Sequence, residues 1–552
     1  MLNTIQYSLP DDLRTALESE LKTWAAEKKI SRIWAKDATV WTGDDEANWL
    51  GWLGIVGDEL KNADRYLRLS DEIAEAGFTD VLLMGMGGSS LCPEVLAETF
   101  ERTQFHILDS TDPAQIARIE KGLDLTKTLF IVASKSGSTL EPNCFKQYFF
   151  ERLAEQVGRE NAGRQFIAIT DPGSKMEQVA KDDGFRHIFY GKPEIGGRFS
   201  ALSAFGMTAA ASMGLMVDGF LSNAADMVEA CKDNDPATNP GALLGIILGI
   251  CHAAGRDKLT VNTSDEIYDL GAWLEQLIAE STGKNGVAII PVDREPFPQD
   301  DYSSDRVFVF LSAGDDNEIE DLYDSMSAAG HPCVHIGVTA LENLGQEFFR
   351  WEFATAVAGS IMRINPFNQP DVEAAKIEAR KITDAYEQAG HLPDETPFAE
   401  SDGFKFFAGA PIDGDTAAAV VTNFVNEIRD GDYFAILAYI EMNDEHEELL
   451  QNIRERVLAT KNVATCLGFG PRFLHSTGQA YKGGGNNGVF LQITCDDRCD
   501  LQVPGQKYTF GVVKAAQARG DFQVLIDRNR RALRIHLGTD VKEGLGKIGE
   551  MI

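Results

Sequence analysis

The sequence predicts an α/β protein: two successive parallel-sheet units with flanking helices, followed by a C-terminal α/β extension. Two observations carry this. Short apolar or aromatic runs, each closely followed by Gly, Ser or Asp, alternate with longer amphipathic stretches, the pattern of buried parallel strands joined by crossover helices. The series then recurs as architecture, without a residue-level repeat. The first set of runs is Val81–Met84, Phe105–Leu108, Leu129–Val132, Phe166–Ile169 and His187–Tyr190; the second is Leu259–Val261, Val287–Pro291, Val307–Leu311 and Cys333–Val338.

Taken in order, residues 1–75 read as a helical leader, with Leu13, Leu17, Leu21 and Trp24 spaced three and four apart. The first sheet unit is placed at 76–225 and the second at 226–384. The stretch 385–430, rich in Gly, Asp, Pro and Ala, predicts a connector with one helix. Beyond it, strands at Tyr433–Ile440, Val463–Gly468, Val489–Thr494 and Ala532–Leu537, with a helix near 445–460, complete a third domain at 385–552. A chain of 552 residues is too long for one core.

Composition is that of a globular protein, but 51 Lys and Arg against 85 Asp and Glu leave a net charge of -34. Such a surface repels phosphate backbones and anionic lipid, which disfavours nucleic-acid and membrane partners. An anionic substrate therefore needs a few cations focused in one cleft. The 8 cysteines are scattered without CxxC spacing, so reduced thiols and no metal site are expected. The first thirty residues hold no apolar core of a signal peptide and no run reaches membrane-spanning length, so a cytoplasmic protein is expected.

Five segments have the composition of ligand loops. Gly85-Met86-Gly87-Gly88-Ser89-Ser90 follows a predicted strand and opens a helix, where glycines let backbone N–H groups approach an anion. Ser90 breaks the GxGxxG spacing of a dinucleotide site, and no cofactor is expected. Ser134-Lys135-Ser136-Gly137-Ser138-Thr139-Leu140-Glu141-Pro142 gathers four hydroxyls, an ammonium and a glycine at another helix start, which suits a phosphate. Gly196-Gly197-Arg198 can aim a guanidinium at a developing oxyanion. In Glu275 to Lys284, Gln276 and Glu280 share a helix face, and Glu280 ends that helix beside Ser-Thr-Gly-Lys as a candidate base. Asn365-Pro366-Phe367-Asn368-Gln369-Pro370-Asp371 breaks one helix and starts another that carries Lys376. Each segment alone also has a plain structural reading as a turn, cap or solvated face.

Together and in this order, over roughly residues 45–380, the five segments resemble the phosphoglucose isomerase family, whose members use sugar-isomerase-type units. The isomerase half of bifunctional transaldolase–phosphoglucose isomerases is especially similar, with an extension like 385–552 and here no transaldolase segment ahead of it. The resemblance implies interconversion of glucose 6-phosphate and fructose 6-phosphate through a cis-enediolate, without metal or cofactor. It implies Glu280 as the proton shuttle, with Gln276 beside it, and Arg198 on the enediolate charge. Gly88, Ser89, Ser134, Lys135, Ser136 and Thr139 would bind the 6-phosphate, and Lys376 the ring-oxygen end. A homodimer is implied as possible. Other readings are an isomerase of broader sugar-phosphate specificity and a non-catalytic phosphosugar sensor.

Two departures from the family pattern stand out. Asn368 replaces the usual Asp, and the ring-opening histidine lacks its usual setting. His331 and His335 lie in the expected interval, but His335 falls in a predicted strand. His475, in Gly470-Pro471-Arg472-Phe473-Leu474-His475-Ser476-Thr477-Gly478-Gln479, sits in a loop of ligand-binding composition and is the favoured candidate over His331.

Overall fold

The computed structural model describes residues 1–296 and 302–552, and contains three sheets. The first is wholly parallel, in the order Phe105–Leu108, Asp80–Met84, Thr128–Ala133, Phe166–Thr170, His187–Tyr190. All six residues of Thr128–Ala133 are buried, which explains why the run is apolar without alternation: helices cover both faces.

The second sheet runs Gln6–Ser8, Cys333–Val338, Arg306–Ala313, Lys258–Thr263, Ile290–Asp293. Its strands are parallel except the edge strand Gln6–Ser8, so the leader is not all helix. That strand enters a sheet whose other members lie far along the chain, and its three residues are too short for periodicity to reveal. The run expected at Val287–Pro291 forms its strand at Ile290–Asp293 instead. Val287 is already used in a bridge to Lys284, which closes the turn after the helix Leu270–Thr282.

The third sheet orders Ala399–Ser401, Phe404–Ala408, Arg531–Leu537, Gly488–Cys495, Tyr433–Tyr439, Ala464–Phe469. The stretch expected as a connector with one helix does hold the helix Ala417–Val425. It also contributes the hairpin Ala399–Ser401/Phe404–Ala408, which extends the sheet antiparallel at Arg531–Leu537. Gly403 supplies the tight turn of that hairpin with φ near +85°.

One continuous apolar core joins the leader to both of the first two sheets, from Leu9 and Trp24 to Phe367. Its centre is the enclosed helix pair Pro240–Ala253 and Leu344–Met362; the first is nearly apolar all round, while the second also buries Glu347, Arg350 and Glu352. The third sheet is not an appendage. Tyr433, Ala435 and Leu437 pack with Ala279, Ile290 and Val292 of the second unit, while Val503 and Phe510 pack into the core beneath the first sheet. Among the described residues no helix is long and apolar enough to cross a membrane.

Candidate functional site

In the first sheet, the chain leaves Asp80–Met84 toward one edge and Thr128–Ala133 toward the other, although the two strands are neighbours. Connections that diverge leave a crevice at the carboxyl ends of the strands. The glycine turn 85–90 and the serine loop 134–139 are the two loops that flank it. Gly87 has φ +54°, and a Cβ there would lie 2.5 Å from Gln276 Nε2 and 2.8 Å from the His475 carbonyl. At Gly88 a Cβ would meet the Gly197 carbonyl at 2.0 Å. Both positions need glycine because other backbone and side chains close on the turn.

Thr139 is the N-cap of Leu140–Val157 but makes no capping hydrogen bond, so the first amides of an 18-residue helix keep unspent donors beside the loop hydroxyls. Asn143 Nδ2 holds the loop by donating to the Gly137 and Thr139 carbonyls at 3.1 and 2.7 Å. Ser136 and Thr139 line a cavity of about 490 Å³ together with Glu141, Lys376, His475 and Gln517. The Lys376 ammonium contacts Glu373 Oε1 at 3.1 Å.

A second, enclosed group lies alongside. Glu280 is 8% exposed, and its Oε1 is 3.6 Å from Arg198 Nη1. Arg198 donates to Ser281 Oγ (2.7 Å), Gln369 Oε1 (3.0 Å) and the carbonyls of Pro366 (2.6 Å) and Asn368 (3.1 Å). Its hydrogen bonds lock the 365–369 segment, while its charge is left to act on Glu280 as a field. Lys284 donates to the same segment, at Asn365 and Asn368. Burial, and then the Arg198 charge, pull the Lys284 ammonium well below its ordinary pKa. The Asn368 side chain accepts from Lys284 at 3.1 Å.

Gln276 joins the two groups: its Nε2 donates to Glu280 Oε2 at 3.2 Å and to the His475 carbonyl at 2.7 Å. His475 comes from the third sheet, in the turn Arg472–His475 after strand Ala464–Phe469. Arg472 anchors that turn on the first unit, donating to Glu94 at 2.6 and 2.7 Å and ion-pairing with Asp109 at 2.8 Å. In the short helix that follows, Gln479 donates to Asp371 Oδ2 (2.6 Å) and the Gly283 carbonyl (2.7 Å), fixing the start of the Lys376 helix against the end of the Glu280 helix.

His475 Nε2 lies 3.0 Å from Glu141 Oε1, which also accepts from Gln517 Nε2 at 2.6 Å. Burial alone would raise the Glu141 carboxyl, but His475, with a smaller contribution from Lys376, holds it below the ordinary glutamate value. An ionised carboxylate only accepts, so Nε2 carries the proton and Nδ1 is the basic nitrogen of the ring.

Not every expected residue joins these groups. The Lys135 ammonium is paired with Asp171 Oδ2 at 2.5 Å and donates to the Lys192 carbonyl at 2.8 Å, so its charge is engaged in holding the loop rather than facing the cavity. Ser134 is buried, its Oγ 3.5 Å from Thr139 Oγ1. Ser89 sits half-buried in the turn Gly87–Ser89, outside the cavity lining. His331 meets the Phe308 and Tyr302 rings edge-on just before the strand Cys333–Val338, and His335 within that strand bridges Gln6 and Ser312. Glu141, Gln479, Arg472 and Gln517 were missed. Glu141 stands inside the serine motif, where an acid in a first helical turn reads as an ordinary dipole partner.

A serine loop and a glycine turn at the switch point of a parallel sheet, with a second parallel sheet beside it, define a protein of the sugar-isomerase-type α/β class. Solved structures share this fold. A hypothetical protein from Thermus thermophilus superposes with a TM-score of 0.60 at 23% identity, over 68% of this chain and 99% of its own. A glucose-6-phosphate isomerase from Chlamydia trachomatis gives 0.52 at 21% identity, over 59% and 74%.

Residues 68–292 match the family model of phosphoglucose isomerase. A probable glucose-6-phosphate isomerase from Methanococcus maripaludis is 27% identical over 370 residues, 59% of this chain and 82% of that protein. A glucose-6-phosphate isomerase from Gloeothece citriformis is 30% identical over 353 residues, 55% of this chain and 66% of that protein. Arg198 and Glu280 fall within the matched segment; Lys376 and His475 fall outside it.

Proposed function

We propose that this protein catalyses the reversible isomerisation of glucose 6-phosphate and fructose 6-phosphate. The observation that carries the reading is the Gln276 bridge, which sets the buried Glu280–Arg198 pair directly behind a cavity that holds a serine loop, a lysine and a histidine. The phosphate rests on the Ser136 and Thr139 hydroxyls and the first amides of Leu140–Val157. His475, kept in one tautomer by Glu141, takes the O1 proton of the cyclic sugar through Nδ1, and Lys376 supports the O5 end as the ring opens.

In the open chain, Glu280 takes the C2 proton of the aldose, the C2–H pair moves into a C1–C2 double bond, and the charge gathers on oxygen as a cis-enediolate. Arg198 stabilises that charge by its field. Return of the proton to C1, with the O2 hydroxyl proton passing to O1, gives the ketose. A positioned carboxylate and a buried guanidinium are the groups this proton transfer requires. Among the described residues no cluster of three or more potential metal ligands occurs. A coupled assay of fructose 6-phosphate conversion tests the reading; no turnover by the full chain with this or any hexose 6-phosphate would defeat it.

A further inference from the structure

The third sheet has a switch point of its own, since the chain leaves Tyr433–Tyr439 and the adjacent Gly488–Cys495 toward opposite edges. Beneath the helix Phe510–Asp527 at this end of the sheet is a polar cavity of about 260 Å³, lined in part by Thr494, His536, Arg534, Arg519 and Glu395. It is separate from the cavity of the catalytic residues. The same helix turns Arg519 to this crevice and Gln517 to Glu141 on the other side.

Arg534 is 3% exposed and packs its guanidinium 4.1 Å from the Phe407 ring centroid and 5.1 Å from that of Phe522. Its Nη2 donates one hydrogen to Glu395 Oε1 at 2.8 Å, while Nε and Nη1 make no hydrogen bond to any described residue, so the second Nη2 hydrogen and one of these form an unspent edge. Buried guanidinium donors are ordinarily all spent. Arg519 Nε pairs with the other oxygen of the same carboxylate at 2.6 Å. Two guanidinium groups thus share one carboxylate. Lys514, by contrast, is outnumbered by Asp112 and Asp497 at 2.7 and 2.5 Å, so it holds the wall of the crevice and offers no free donor charge to a ligand.

We propose that this crevice is a second ligand site, taking a small hydroxylated monocarboxylate such as a sugar acid on the unspent edge of Arg534. A planar carboxylate accepts two parallel N–H bonds from a guanidinium edge. The free guanidinium edge suits one carboxylate, and the Thr494 hydroxyl, 3.0 Å from His536 Nδ1, presents its oxygen to ligand hydroxyls, while His536 Nε2 is held by Asp496 at 3.1 Å. The volume lies just below the range typical of drug-sized pockets and suits a small metabolite.

The test is calorimetric titration of the full chain with gluconate. Glu395→Gln removes the competing carboxylate and tightens binding several-fold. Arg534→Met weakens it at least tenfold, and Arg534→Lys weakens it too, because an ammonium has no planar fork. Should Arg534→Met fail to fold by its melting curve, Arg519→Met, at the more open arginine, replaces it and weakens binding several-fold. Ser136→Ala with Thr139→Val leaves gluconate binding unchanged. No heat with the wild-type chain, or binding unaffected by folded arginine variants, overturns the proposal. So does loss of gluconate binding in the serine-loop variant, which would place it in the catalytic cavity. Inorganic phosphate binding more tightly than gluconate in an Arg534-dependent manner overturns the assignment to carboxylates.

Discussion

His475 and Glu141 stand 334 positions apart in the chain, and their side chains meet at 3.0 Å. One comes from the third sheet and the other from the first turn after the serine loop. Removing His475 leaves Glu141 buried without its Nε2–H donor. We expect His475→Ala to slow turnover of the cyclic substrate by about 10²-fold or more, the range of general acid–base groups, with open-chain substrate much less affected. His331→Ala, at a ring packed edge-on against Phe308 and Tyr302, leaves turnover near wild type. Steady-state rates with both substrates at several pH values decide this; equal losses on cyclic and open-chain sugar would remove His475 from ring opening.

The pH response of this pair has a defined sign. The Glu141 carboxyl is held below its unfolded value of roughly 4.3, so its contribution to stability is fully present above that pH and is lost as pH falls through the folded-state value. Glu141→Gln therefore flattens the acid limb of a melting-temperature profile below about pH 4.3. An unaltered acid limb in that variant means other carboxylates govern it.

Glu280→Gln keeps the shape of the side chain and its contact with Gln276 but accepts no proton. Its kcat is expected to fall at least about a hundredfold with KM changed by no more than a few-fold. A variant that keeps a tenth of wild-type kcat excludes Glu280 as the base.

The serine loop is expected to act on binding. Ser136→Ala combined with Thr139→Val removes two hydroxyls from an ionised acceptor, each contributing about 1.5–3 kcal/mol, so KM rises by at least about tenfold. Lys135→Met, by contrast, loosens the loop through the lost Asp171 pair and lowers the melting temperature as well. A KM that does not move in the double variant assigns the loop a structural role only.

Glu352 is wholly buried in helix Leu344–Met362, and neither carboxylate oxygen has a hydrogen-bond partner. Burial raises its pKa well above the ordinary value. A raised acid pKa costs stability as pH climbs: the group's contribution is intact below about 4.3 and is lost as pH rises toward the folded-state value. Glu352→Met fills the same volume without the polar atoms, and is expected to raise the melting temperature by a few degrees, more at pH 8 than at pH 5. A variant less stable at both pH values means the carboxyl has a compensating partner in solution.

Much of the framework was legible because its signals are local. A buried parallel strand such as Thr128–Ala133 announces itself as an unbroken apolar run, and a glycine at position 87 or 88 reflects a close approach that no larger residue permits. The edge strand Gln6–Ser8 was not legible in the same way, since a three-residue strand exists only by pairing with a distant partner, and the place of the hairpin at 399–408 depends on the distant strand Arg531–Leu537.

Within the site, the sequence alone determined which residue types were on offer: hydroxyls at 134–139, a carboxylate at 280, a guanidinium at 198. Tertiary structure decided which of them face a common space. It turned Lys135 onto Asp171, a choice no motif encodes because the partner lies 36 positions on. It drew His475 in from the third sheet, held there by Arg472 on Glu94 and Asp109. The physical reason is range. Strand and turn preferences are settled by neighbours a few residues away, whereas an ion pair or a buried hydrogen bond is worth forming only where folding has already excluded water.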